Sequence, residues 1–124
     1  MKPSPQLARR TLLLAPLLLT LAPRGAAAHA ILLASIPASG ATIPMGEFTF
    51  ILRFNSLLDH ARSRLILVGP DGEQTTLTIS PAGPEDTLSA LAIISPGGQS
   101  LRWQALALDG HITRGQIIFI AIKG

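Results

Sequence analysis

Glu47-Phe48-Thr49-Phe50-Ile51-Leu52-Arg53-Phe54 alternates without a break. Phe48, Phe50, Leu52 and Phe54 fall on one face, and Glu47, Thr49, Ile51 and Arg53 on the other. A period of two with aromatics on one side marks a half-buried antiparallel strand, because successive side chains leave a sheet on opposite faces. Three of the four phenylalanines share that face, so it reads as core. The alternative for it is an aromatic ligand platform.

Strands separated by turn signals lie on either side of this segment. Downstream, Asn55 to Ala61 is polar and irregular, and Arg62 to Val68 reads as a strand. Gly69-Pro70-Asp71-Gly72 is a turn, with Thr75 to Ile79 as its hairpin partner. Pro81, Gly83 and Pro84 mark a loop, Thr87 to Ile94 a strand, and Ser95-Pro96-Gly97-Gly98 another turn. Leu101 to Ala107 alternates again, with Leu101, Trp103, Ala105 and Ala107 on one face and Trp103 as its large anchor. Thr113 to Ile122 is a last, nearly continuous apolar strand. Upstream, His29 to Leu33 reads as a first strand, Ser35 to Gly40 as a loop, and Pro44-Met45-Gly46 as a break. About seven short strands and no convincing amphipathic helix predict an all-β antiparallel sandwich.

The first 28 residues read as an export signal outside that fold. Lys2, Arg9 and Arg10 form a positive start, Thr11 to Leu21 an apolar run, and Ala26-Ala27-Ala28 a small-residue cleavage site. The run is too short for an ordinary transmembrane helix and is broken by Pro16. Arg9-Arg10 also fits a twin-arginine signal. The domains expected are therefore 1–28, a signal peptide cleaved after Ala28, and 29–124, a single exported domain.

Cleavage changes the charge. The full chain carries a formal +3. Residues 29–124 keep six Lys and Arg against seven Asp and Glu, a formal −1. The basic balance therefore belongs to the signal and gives no reason to expect nucleic acid as a partner. There is no cysteine, which rules out disulfide staples, zinc ribbons, blue-copper sites and thioredoxin chemistry.

Three histidines remain: His29, His60 and His111. Asp109-Gly110-His111 places a carboxylate and an imidazole two residues apart at a turn; taken alone, it is equally a solvated turn. If cleavage follows Ala28, His29 becomes the mature N-terminus. Its α-amine and imidazole can then close a chelate ring on one metal. An α-amine has a reference pKa of about 7.7–8.0, so the metal must displace its proton near neutral pH. Copper(II) does so best among the divalent first-row ions and favours tetragonal N,O sites. The alternative is that histidine at this position is accidental. His60 lies in a polar loop, either solvated or a secondary metal ligand. Arg102 and Arg114 either project to solvent or orient Asp109 by a charge-assisted hydrogen bond.

With these residues in view, the sequence resembles the CopC/PcoC family of periplasmic copper-binding proteins. The likeness runs through His29-Ala30, Ser35-Ile36-Pro37-Ala38-Ser39-Gly40-Ala41, Leu52-Arg53-Phe54-Asn55, Gly69-Pro70-Asp71-Gly72, Arg102-Trp103, and Leu108-Asp109-Gly110-His111 followed by Gly115. It implies a Greek-key β-sandwich of immunoglobulin or cupredoxin-like shape. It implies one Cu(II) held by His29 through amine and imidazole, with Asp109 and His111. It also implies a role in copper resistance or homeostasis, with a CopD-type inner-membrane copper transporter as partner. The protein is expected to be a periplasmic monomer. Some members add a methionine-rich Cu(I) site; here Met45 alone remains in 29–124. Many carry a glutamate just past the Phe-Asn strand end, where this chain has Ser56.

Two other functions stay open at the sequence level. One is an immunoglobulin-like interaction domain that binds no metal. The other is a histidine-brace copper oxidase, against which stand a single Trp, no Tyr and no insertion for a substrate platform. No catalytic residue is expected.

Overall fold

The computed structural model describes residues 29–124. The expected signal peptide lies outside the described residues. The chain forms eight strands: β1 Leu32–Ile36, β2 Ala41–Pro44, β3 Gly46–Phe54, β4 Arg64–Val68, β5 Gln74–Leu77, β6 Thr87–Ile94, β7 Gly97–Leu106 and β8 Ile112–Ile122. They make two packed sheets, ordered β1-β3-β6 and β2-β8-β7-β4-β5. This is the all-β sandwich expected from the alternation, with one strand more than the seven counted.

The extra strand is β2. It runs parallel to β8, pairing Ala41 with Phe119 and Pro44 with Ile122, and is the sole parallel pair among the described strands. It lies at the sheet edge, where a proline's missing N–H need not face a partner. The first strand also shifts: it begins at Leu32 rather than His29 and takes in Ser35 and Ile36, expected as loop. Pairing with β3, from Leu32 opposite Phe54 to Ile36 opposite Ile51, decides this over local turn composition. Gly97 and Gly98, expected in a turn, open β7 opposite Ala121 and Ile120.

Alternation holds where it was clearest. Phe50, Leu52 and Phe54 are fully buried, Phe48 is half-buried against Phe50, and Glu47, Thr49, Ile51 and Arg53 are exposed. The facing sheet contributes Leu65, Leu101, Ile117 and Phe119. Trp103 packs edge to face on Phe54 at 5.2 Å between ring centroids. Its cross-strand partner is Gly115, and a Cβ there would overlap the indole ring. The Trp–Gly pair is thus steric: the ring occupies the volume a side chain at 115 would need. The indole N–H is sealed from water and finds no acceptor among the described residues.

Candidate metal centre

The site is built at the sandwich end where the N-terminal segment meets the β7–β8 turn. Leu106 and Ile112 are the last β7–β8 pair, and Ala107 to His111 make the turn. Gly110 donates its N–H to the Ala107 carbonyl at 2.9 Å and has φ +95°, a conformation that favours glycine. The Ala107 N–H in turn reaches the His111 carbonyl at 2.9 Å. The tight bend brings Asp109 back onto His111. Asp109 Oδ1 accepts the His111 backbone N–H at 3.1 Å and lies 3.2 Å from its Nδ1. These contacts, the backbone N–H first and the imidazole next, hold the Asp109 carboxyl below the usual aspartate range. A proton donated from Nδ1 leaves Nε2 as the ring nitrogen with a free lone pair.

His29 comes to the same place from the other end of the chain. Its ring lies edge to face with that of His111, centroids 5.1 Å apart. Two latches fix this approach. The Ile31 N–H donates to Asn55 Oδ1 at 2.7 Å, and the Asn55 N–H returns to the Ile31 carbonyl at 3.0 Å. Thr113, two residues past His111, donates its hydroxyl to the Ala30 carbonyl at 2.9 Å. Ala30 itself is buried, so the step between His29 and Ile31 is packed as well as bonded.

The loop after β3 serves both halves of the site. Asn55 holds the His29 segment. Leu57 accepts the Leu108 N–H at 3.0 Å, Leu58 bridges to Ala107, and the Asp59 N–H reaches the Leu106 carbonyl at 2.9 Å. A segment that reads as irregular is therefore a backbone brace for the turn that carries Asp109 and His111. Asn55 and Thr113 are positioning residues that pattern alone does not reveal, although Asn55 stands where the alternating strand stops.

The structure thus places His111 beside both His29 and Asp109. Among the described residues, no group of three or more His, Asp or Glu side chains is arranged to hold a metal ion. The side chains that meet here are two imidazoles and one carboxylate. His60 stands apart. Its Nε2 donates to the Thr87 carbonyl at 2.7 Å, tying the brace loop to β6, so it is neither a solvated histidine nor one of these side chains. Arg102 and Arg114 do not orient Asp109, whose partner is His111; Arg114 Nε donates to Gln104 Oε1 at 2.9 Å instead.

Comparison with known proteins agrees with this architecture. A family model described as the CopC domain matches residues 32–121. No curated protein sequence matches. Among solved structures, CopC from Methylosinus trichosporium OB3b superposes with a TM-score of 0.70 at 18% identity, over 77% of this chain and 95% of that one. PcoC, a methionine-rich copper resistance protein from Escherichia coli, gives 0.62 at 20% identity, over 77% and 100%. At these identities the likeness to the two structures is one of fold. The family match spans Asp109 and His111 and begins three residues after His29.

Proposed function

The chain belongs to the CopC family, and on that premise we propose that it is an exported periplasmic protein that binds one Cu(II) ion for copper resistance or homeostasis. The observation that carries this reading is the meeting of the His29 and His111 rings, 5.1 Å apart, from opposite ends of the chain. Cleavage after Ala28 frees the His29 amine beside its own imidazole. His111 supplies a third nitrogen and Asp109 a carboxylate oxygen. That is a hard-to-borderline N,O set without sulfur, suited to Cu(II) and poorly to Cu(I). Copper is cargo here: it is taken up by coordination and released by protonating the ligands or reducing the metal, with no bond broken in a substrate. A CopD-type transporter in the inner membrane is the partner we propose for delivery.

The fold also bears on the oxidase alternative. The single Trp is turned inward against Phe54 and offers no platform to a polysaccharide. Asp109 keeps one oxygen on His111, so the same carboxylate both orients the imidazole and presents its second oxygen.

Intact mass of the exported protein, with and without one equivalent of Cu(II), tests the proposal. A chain beginning at His29 with one copper retained is the expected result. An added alanine before His29 is expected to abolish tight uptake by moving the amine off the imidazole. Full uptake by that extended chain would overturn the chelate.

A further inference from the structure

The outer face of the five-stranded sheet carries a segregated charge. Arg64, Gln104 and Arg114 lie directly opposite one another across β4, β7 and β8. Arg102 stands two residues from Gln104 on the same face of β7, opposite Ile66 and Gln116. All three arginines are exposed, and none has a carboxylate within 4.0 Å among the described residues. They are half of the six Lys and Arg in residues 29–124. The seven acids, in contrast, are on β3 or in loops and turns, so no strand of this sheet carries one. Between the arginines is a hollow of about 100 Å³, lined also by Ile66, Trp103 and Gly115.

An acidic domain that gathers half its cations on one sheet face bears like-charge repulsion with no internal counter-charge. Arg102 is the diagonal cross-strand neighbour of both Arg64 and Arg114, a spacing of roughly 7–8 Å, close to the roughly 7 Å between same-face carboxylates along an extended peptide. Guanidinium groups pair with carboxylates through two parallel hydrogen bonds, and Arg114 already uses its Nε on the Gln104 amide, which orients that fork. We propose that Arg64, Arg102 and Arg114 form a docking site for an acidic segment, rich in Asp and Glu, of a protein partner. An anionic membrane fits less well: polybasic lipid sites gather roughly 4–8 cations, and this face has three.

The position adds meaning. Arg114 is three residues past His111 on the same strand that leaves the Asp109–His111 turn. A partner held on the arginines is therefore beside the end of the sandwich where copper would sit. That last step rests on the copper reading, whereas the docking itself does not.

The test is a titration of the metal-free mature protein with a synthetic hexapeptide of alternating Glu and Asp, followed by two-dimensional NMR at low and physiological salt. Saturable shifts are expected at Arg64, Arg102, Gln104 and Arg114, weakening with salt. R64Q, R102Q and R114Q should each weaken binding roughly two- to five-fold, and the triple variant roughly tenfold or more, as for exposed charge pairs. R53Q removes the same charge from the other sheet and should change little. Equal loss from R53Q, shifts spread over the whole surface, or binding to phosphatidylglycerol vesicles in place of the peptide would each overturn the proposal. H111A should leave peptide binding intact, so failure of the copper reading and failure of the docking reading give different results.

Discussion

The imidazoles of His29 and His111 meet edge to face, centroids 5.1 Å apart and planes at 81°. Neither ring is held by the other. Each is carried by backbone pinned to the loop after β3, one through Asn55 and the other through Leu57 and Leu58. Both rings are therefore positioned by hydrogen bonds to the backbone that carries them, and substitutions at His29, Asp109 or His111 should leave the sandwich folded.

Ligand substitutions should separate copper binding from folding. His111→Ala removes a nitrogen donor and is expected to lower Cu(II) affinity by more than about a hundredfold, beyond the roughly 10–100-fold that loss of a supporting partner costs. Asp109→Asn keeps an oxygen for the His111 N–H but loses the charge, and should fall within that range. Both side chains are about half exposed, 49% for His111 and 48% for Asp109, so melting temperatures of the metal-free variants should stay close to the parent. Competition against a chromophoric chelator reads the first effect and thermal denaturation the second. Parent-like affinity in His111→Ala would remove the residue from the site.

Asn55 should matter to copper more than to stability. Asn55→Ala leaves the Ile31 N–H without its acceptor at an exposed position, which costs about 0.5–1.5 kcal/mol in a typical hydrogen-bond deletion. The His29 segment then keeps the main-chain bond from the residue 55 N–H to the Ile31 carbonyl and the Thr113 latch but loses the Ile31 N–H acceptor, and Cu(II) affinity should drop about tenfold as the chelating end loosens. Asn55→Asp restores the acceptor and should recover most of the loss. A drop in stability with unchanged affinity would make Asn55 a purely structural latch.

The division between what pattern revealed and what it did not has a physical cause. Alternation located Phe50, Leu52 and Phe54 in the core because burial acts on each side chain separately. His29, Asp109 and His111 stand out by residue type as candidate ligands, and the expectation that they meet rests on a family resemblance; the approach of His111 to His29 and to Asp109 is what the fold adds. Asn55 and Thr113 were not legible as latches. Their partners are backbone groups 24 and 83 residues away, and a carbonyl looks the same at every position. β2 was missed for a similar reason: four residues ending in Pro44 have little alternation, and they form a strand because the edge of β8 supplies backbone partners.

Asp109 should titrate below an ordinary surface aspartate such as that of a free peptide, because His111 donates to its carboxylate. A lowered folded-state value means that the carboxylate contributes stability above its unfolded-state range and loses it as pH falls through the folded value. In the metal-free protein, stability should thus decline slightly in the acid range, where Asp109 gains its proton. Carboxyl carbon shifts followed by NMR give the titration directly. His111→Ala removes the ring but keeps the backbone N–H, the larger cause, so only part of the lowering should be lost. Complete reversal would assign the effect to the imidazole.

Gly115→Ala probes the packing on which the β7–β8 hairpin depends. The new methyl would occupy the space of the Trp103 ring, and Trp103 is wedged between Gly115 and Phe54. Overpacking of this kind costs typically about 1–3 kcal/mol, and here it should also shift the fluorescence of the single Trp as the indole is pushed toward water. Trp103→Phe opens space at the same spot. If the clash is the cause, Gly115→Ala should cost much less in the Trp103→Phe background, giving a coupling of at least about 0.5 kcal/mol between the two positions. Strict additivity would place the cost in the backbone of residue 115. Because Arg114 and Thr113 precede Gly115 on β8, a displaced strand should also weaken the Thr113 latch on Ala30 and lower Cu(II) affinity together with stability.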